Sequence, residues 1–121
     1  NATRRVVLRG VDGIVFVADA MKVVREKNLL SLKNLHENLK DYNRSIFRVP
    51  LVLQYNKMDL AEQGIPLLSY ERLEKDLNTQ LKVPSFPASA LKGTNVAKTL
   101  KKIISMTLPS LQRNLKKEVV N

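Results

Sequence analysis

The sequence contains no cysteine, which excludes disulfides, thiolate metal sites and a cysteine nucleophile. Tryptophan is absent, and His36 is the single histidine, so a Ser-His-Asp triad could be built only around it and a histidine-rich metal site cannot be built. Acidic residues are scarce: 11 Asp and Glu stand against 21 Lys and Arg, a formal net charge of +10. No apolar run is long enough to span a membrane. The opening Asn1-Ala2-Thr3-Arg4-Arg5 has none of the features of a secretory signal. These absences make a cytoplasmic location the expectation.

What is present is enough for one core. The 121 residues are 44% hydrophobic, more than a disordered tail carries. The chain starts at Asn1 within a helix-like stretch, without an initiator Met, and reads as a piece of something larger. The positive charge then has two readings. It raises the prior for nucleic acid or an anionic membrane, or it reflects acidic residues carried elsewhere in a longer parent.

Residues 11–19 form a β-branched run without polar alternation, which predicts a strand buried on both faces, as in a parallel sheet. Leu32, Leu35 and Leu39 share one helical face, predicting a core helix over about 29–42. Residues 49–56 predict a second buried strand, with Pro50 tolerable only near its start. Residues 57–60 read as a loop. Ser69 is a candidate N-cap for a helix reaching about Gln80, with Leu73 and Leu77 inward. Residues 83–89, weakened by Pro84 and Pro87, predict a third strand. Thr94 or Asn95 would cap a last helix, which Pro109 should end or kink near Thr107 or Leu108. Strand, helix, strand, helix, strand, helix is the order of an α/β fold with three parallel strands and crossover helices. Ligands of such sheets sit at the carboxyl ends of the strands, which here carry Asp19, Asn56 and Ser89.

Two of these ends hold constellations. The second strand runs into Asn56-Lys57-Met58-Asp59, and the third into Ser89-Ala90-Leu91-Lys92-Gly93. Asn-Lys-x-Asp after one buried strand and Ser-Ala about thirty residues later after another resemble the guanine-recognition half of Ras-like small GTPases. The chemistry suits the residue types. Guanine offers a ring N–H beside an exocyclic amine, and a carboxylate accepts both at once. The resemblance gives that role to Asp59. Lys57 would lay its aliphatic stem over the base, and Asn56 would tie its loop to the phosphate loop or the base edge. The backbone N–H of Ala90 would donate to the guanine carbonyl, Ser89 would stiffen the turn, and Leu91 would give apolar cover. Any one of these residues, taken alone, is as well explained as a turn, a cap or a solvated charge.

The similarity extends further. Leu8-Arg9-Gly10-Val11-Asp12-Gly13 leading into the first strand, then Asn28, Leu32 and Leu35, then Leu53-Gln54-Tyr55-Asn56-Lys57-Met58-Asp59-Leu60, and the Thr99-Leu100 step, are very similar to the MglA family. These are bacterial and archaeal Ras-like GTPases that set cell polarity. The similarity covers residues 1 to about 111. It implies a partial Ras-like P-loop GTPase fold, with 1–121 as the C-terminal portion of one domain and 94–121 as a basic helix and tail. The expected ligand is the guanine moiety of GTP or GDP, and the expected partners are regulatory and effector proteins of the GTPase.

One departure matters. The glycines are Gly10, Gly13, Gly64 and Gly93, and no Gly-Lys-Ser or Gly-Lys-Thr occurs. A phosphate loop and the Mg²⁺-binding switch segments are therefore missing, and Mg²⁺ belongs only to the complete domain. The chain alone is expected to contact guanine weakly and not to hydrolyse GTP, so no catalytic or metal-binding residue is assigned. Lys92 stands one place beyond where many relatives carry a lysine against the base. The strand at 11–19 would form a sheet edge prone to self-association.

The remaining features have plain readings. Asp12 and Asp19 read as turn or cap residues, and His36 as a solvated helical side chain. Lys98, Lys101, Lys102, Arg113, Lys116 and Lys117 read as a solvated face, or as a surface for an acidic partner or anionic membrane. The latter would make the chain a non-enzymatic Ras-like scaffold. Nucleic acid is not expected, because the aromatics form no stacking platform beside the basic residues.

Overall fold

The computed structural model describes residues 13–89 and 91–120, without the side chains of 109–120. Three parallel strands, β1 (Ile14–Asp19), β2 (Leu51–Asn56) and β3 (Ser85–Pro87), lie in the order β1-β2-β3. Helix α1 (Arg25–Asp41) links the first pair and α2 (Tyr70–Leu77) the second, and α3 (Val96–Val120) follows β3. The expected α/β order with three parallel strands is what forms.

The pleat separates two layers. On β2, Leu51, Leu53 and Tyr55 join Leu35 and Leu39 of α1 and Leu73 and Leu77 of α2 in one buried cluster. Successive strand residues point to opposite faces, so Gln54 points the other way. Its Nε2 donates to Thr99 Oγ1 on α3 at 2.9 Å. Gly13, at the entrance to β1, sits directly beneath Ile103 and Thr107 of α3, where any side chain would collide with Thr107. Helices α1 and α2 therefore cover one face, and α3 the other.

Several boundaries differ from the sequence expectation. Helix α1 starts at Arg25, a turn earlier than the leucine pattern implied, and buries Asn28 as well as Leu35 and Leu39. Strand β1 is not buried on both faces: Val17 is 53% exposed, because β1 is the outer strand among the described residues. Residues 11 and 12 of the expected strand lie outside those residues. Pro50 stands just before the start of β2 and its carbonyl accepts from Ile14 N at 2.9 Å, a role that needs no N–H. Strand β3 shrinks to three residues, from the residue after Pro84 to Pro87 itself. Ser69 caps α2 as expected, accepting from Arg72 N at 3.1 Å, but that helix ends at Leu77 rather than Gln80. Asn95 does not cap through its side chain, which instead donates to Pro87 O at 2.7 Å. Helix α3 does not stop at Pro109 and runs on to Val120. An internal proline removes one N–H bond and crowds the carbonyl four residues back, and here the helix continues on both sides of it.

Candidate functional site

The carboxyl ends of the strands converge through main-chain bonds. Ala20 N donates to Asn56 O at 3.0 Å, Ala88 N to Tyr55 O at 2.7 Å and Met58 N to Ala88 O at 3.1 Å. The last of these fastens the Asn-Lys-x-Asp segment to the end of the third strand. Lys57 makes the turn in a left-handed conformation, φ 68°, and Met58–Gln63 follow as a 3₁₀ segment. Asp59 stands in the first turn of that segment.

Lys57 is pinned at its head. Its Nζ lies 2.8 Å from Asp19 Oδ2, at the end of β1. The other oxygen of Asp19 accepts from Met21 N at 2.9 Å, so the expected turn role of Asp19 holds and an ion pair is added to it. Asn28 fixes the same strand end. Its amide donates to Asp19 O at 2.7 Å and its carbonyl accepts from Asp19 N at 3.1 Å, as a neighbouring peptide unit would.

Across the cleft, Ser89 is buried; its N donates to Thr94 O and its Oγ accepts from Lys92 N at 3.1 Å. A cavity of about 340 Å³ opens between the two loops, with Asp59, Met58, Ala88, Ser89 and Asn95 in its walls. That is near the small end of the roughly 300–1,000 Å³ range of small-molecule clefts. Lys92 and Glu62 also line it and pair with each other at 2.8 Å. The Glu62 carboxylate, through that bond, holds the Lys92 ammonium above its ordinary pKa.

The six residues singled out from sequence are therefore not equivalent. Asp59 and Ser89 share the cavity. Asn56 and Lys57 sit at the strand end beside it. Leu91 is 87% exposed and stands outside the lining, so nothing in the described residues is covered by it. Ala90 lies outside the described residues. Glu62, Thr94 and Asn95, which sequence reasoning did not select, line the cavity. They carry no motif, and only the return of the chain over β3 brings them there.

His36 is a correction. It is half-buried rather than solvated, its ring meets Phe47 edge-on at 5.9 Å, and its Nδ1 is buried without a hydrogen-bond partner. Lys98, Lys101 and Lys102 are exposed as expected, beside the exposed apolar residues Leu100, Ile104 and Leu108. Arg113, Lys116 and Lys117 have no described side chains. Among the described residues no helix is long and apolar enough to cross a membrane.

The chain is 37% identical over 113 residues, 93% of its length, to the mutual gliding-motility protein MglA of Myxococcus xanthus (strain DK1622). It spans 55% of that protein's length. No family model matches the chain. The likeness in sequence and the three-stranded parallel α/β architecture agree with a Ras-like P-loop GTPase fold.

Proposed function

We propose that this chain, an MglA-like member of the Ras-like small GTPases, supplies the guanine-recognising part of a nucleotide site. The observation that carries the reading is the Met58 N to Ala88 O bond, which holds Asp59 and Ser89 in the walls of one cavity. Asp59 accepts from the ring N–H and exocyclic amine of guanine. Adenine lacks that donor pair and would leave the carboxylate partly unpaired. The Asp19 ion pair fixes the head of Lys57 at the end of β1, and its aliphatic stem covers one face of the base. Asn56 braces the loop. The Ala90 N–H meets the guanine carbonyl, Ser89 stiffens that turn, and Leu91 folds over the base when it is bound.

The 121 residues contain no Gly-Lys-Ser or Gly-Lys-Thr. Phosphates and Mg²⁺ draw most of their electrostatic stabilisation from such a loop and from the switch segments. The chain alone therefore binds GDP weakly and does not hydrolyse GTP. In a protein that includes those parts, the site belongs to a polarity or motility switch with regulatory and effector partners. Calorimetry of the 121-residue chain with GDP tests the first point: nanomolar affinity contradicts it.

A second reading rests on the exposed Leu100, Ile104 and Leu108 beside Lys98, Lys101 and Lys102. It keeps the fold as a non-enzymatic scaffold whose basic helix docks on an acidic partner or an anionic membrane. β1, the outer strand among the described residues, also offers a pairing surface for a second copy. Nucleotide selectivity of the Asp59→Asn variant separates the enzyme reading from the scaffold.

A further inference from the structure

The end of β1 carries a residue with every polar group engaged. Ile14 N donates to Pro50 O and Ala20 N to Asn56 O, so the even-numbered residues of this strand bond toward β2. Successive residues alternate in the direction of their N–H and C=O groups, which turns those of Asp19 away from β2. No further strand meets them there among the described residues. The side-chain amide of Asn28 does. Its Nδ2 donates to Asp19 O at 2.7 Å and its Oδ1 accepts from Asp19 N at 3.1 Å. Both oxygens of the Asp19 carboxylate are taken as well, one by Met21 N at 2.9 Å and the other by Lys57 Nζ at 2.8 Å.

The residue type at 28 suits this task. Meeting one N–H and one C=O of the same residue takes a donor and an acceptor side by side, which an amide supplies. A carboxylate would leave the carbonyl unmet, and an apolar side chain would leave both groups unmet. Asn28 is buried, in the first turn of α1. Arg25, three residues earlier on the same side of the helix, holds Asp76 of α2 at 2.7 and 3.0 Å. The start of α1 is thus tied to α2 by one residue and to the end of β1 by the other.

We infer that Asn28 is a positioning residue of the base site, acting through Asp19 on Lys57. The inference rests on the reading above, in which Lys57 covers one face of guanine. Clamping both backbone groups of Asp19 fixes the direction in which its side chain leaves the strand. The Met21 bond then fixes the rotation of the carboxylate, and one oxygen is left to hold the Lys57 ammonium. Without the Asn28 amide the Asp19 peptide groups turn to water, the carboxylate loses its fixed direction, and the head of Lys57 is released.

The test uses the 121-residue chain and reads the Lys57 Hε–Cε signals in a ¹H–¹³C NMR spectrum, identified by their loss in Lys57→Arg. Asp19→Asn removes the ion pair directly and should shift these signals. Asn28→Leu, which leaves Asp19 and Lys57 in place, should shift them the same way. Dispersed methyl signals verify folding; if Asn28→Leu fails that check, Asn28→Asp, which keeps an acceptor for Asp19 N, replaces it. Lys57 signals that move in Asp19→Asn but not in the Asn28 variant overturn the inference, and so do signals that move in neither. Guanosine is then titrated into the same samples. Asn28→Leu and Asp19→Asn should each weaken it by about two- to fivefold, the range of one half-exposed ion pair. Saturable guanosine binding that Asn28→Leu leaves unchanged also overturns the positioning role. A wild-type chain that does not bind guanosine contradicts the guanine reading alone, because the Lys57 signals decide the role of Asn28 without any nucleotide.

Discussion

Lys57 Nζ stands 2.8 Å from Asp19 Oδ2 and so joins the carboxyl ends of β1 and β2. The lysine is half-exposed, which limits the stability of the pair to about 0–1 kcal/mol at ordinary ionic strength. Asp19→Asn keeps an oxygen for Met21 N and loses only the charge. Thermal melts should show a fall of no more than a few degrees, vanishing in high salt. Asp19→Ala also removes the turn acceptor and should cost about 1 kcal/mol more. Equal melting temperatures for the two variants would show that the Met21 bond contributes nothing.

Gln54 and Thr99 form the polar contact between the sheet and α3, and both are buried. Thr99 also donates to Asn95 O at 2.9 Å. Thr99→Val strands the Gln54 amide and should destabilise by about 1–3 kcal/mol. The double variant Gln54→Leu with Thr99→Val should recover much of that loss. Denaturant unfolding of the two single variants and the double gives the coupling directly.

Gly13→Ala is expected to be costly although alanine is small. Its methyl would meet Thr107 and Ile103. Overpacking of this kind costs about 1–3 kcal/mol, and Thr107→Ser, which removes the colliding methyl, should rescue part of it. Denaturation midpoints decide the matter; a neutral Gly13→Ala would mean that α3 does not press on β1.

Acid should loosen the contact between α1 and α2. The hydrogen-bonded Arg25 guanidinium holds the Asp76 carboxyl below its ordinary pKa. A depressed carboxylate stabilises the fold above its unfolded pKa near 4, and that stability is lost as pH falls through the folded value. Asp76→Asn should therefore lower stability at neutral pH and flatten its decline below about pH 4. A parallel decline in both proteins would remove this pair from the acid response. Tyr55 takes no part in this range, because burial and its bond to Glu74, 2.7 Å, push the phenol well above its ordinary pKa.

Much of the fold was legible in local pattern. The run 51–56 has no polar alternation because β2 is covered on both faces, and it is buried along nearly its whole length. Ser69, Leu73 and Leu77 announced α2 through cap and spacing. The illegible parts depend on distant chain. The exposure of Val17 depends on the position of β1 as the outer strand among the described residues, which an apolar run does not reveal. The fate of His36 depends on Phe47, carried by another segment. Asn28 marked a family likeness, but its grip on the Asp19 backbone is visible only in three dimensions. At the candidate site, the motif residues Asp59 and Ser89 line the cavity, whereas Glu62, Thr94 and Asn95 are single residues that topology alone brings there. Leu91, two places beyond Ser89, is 87% exposed and stands outside that lining.

The central claim is guanine recognition by Asp59, and relative affinity for GDP and XDP measures it most directly. The protein used should include the phosphate-binding segment. Xanthine presents a carbonyl where guanine has its amine, and an asparagine amide offers the matching donor and acceptor. Wild-type protein should prefer GDP, and Asp59→Asn should reverse the preference, with a combined change of about 100-fold or more. An unchanged ratio in the Asp59→Asn protein would contradict the claim.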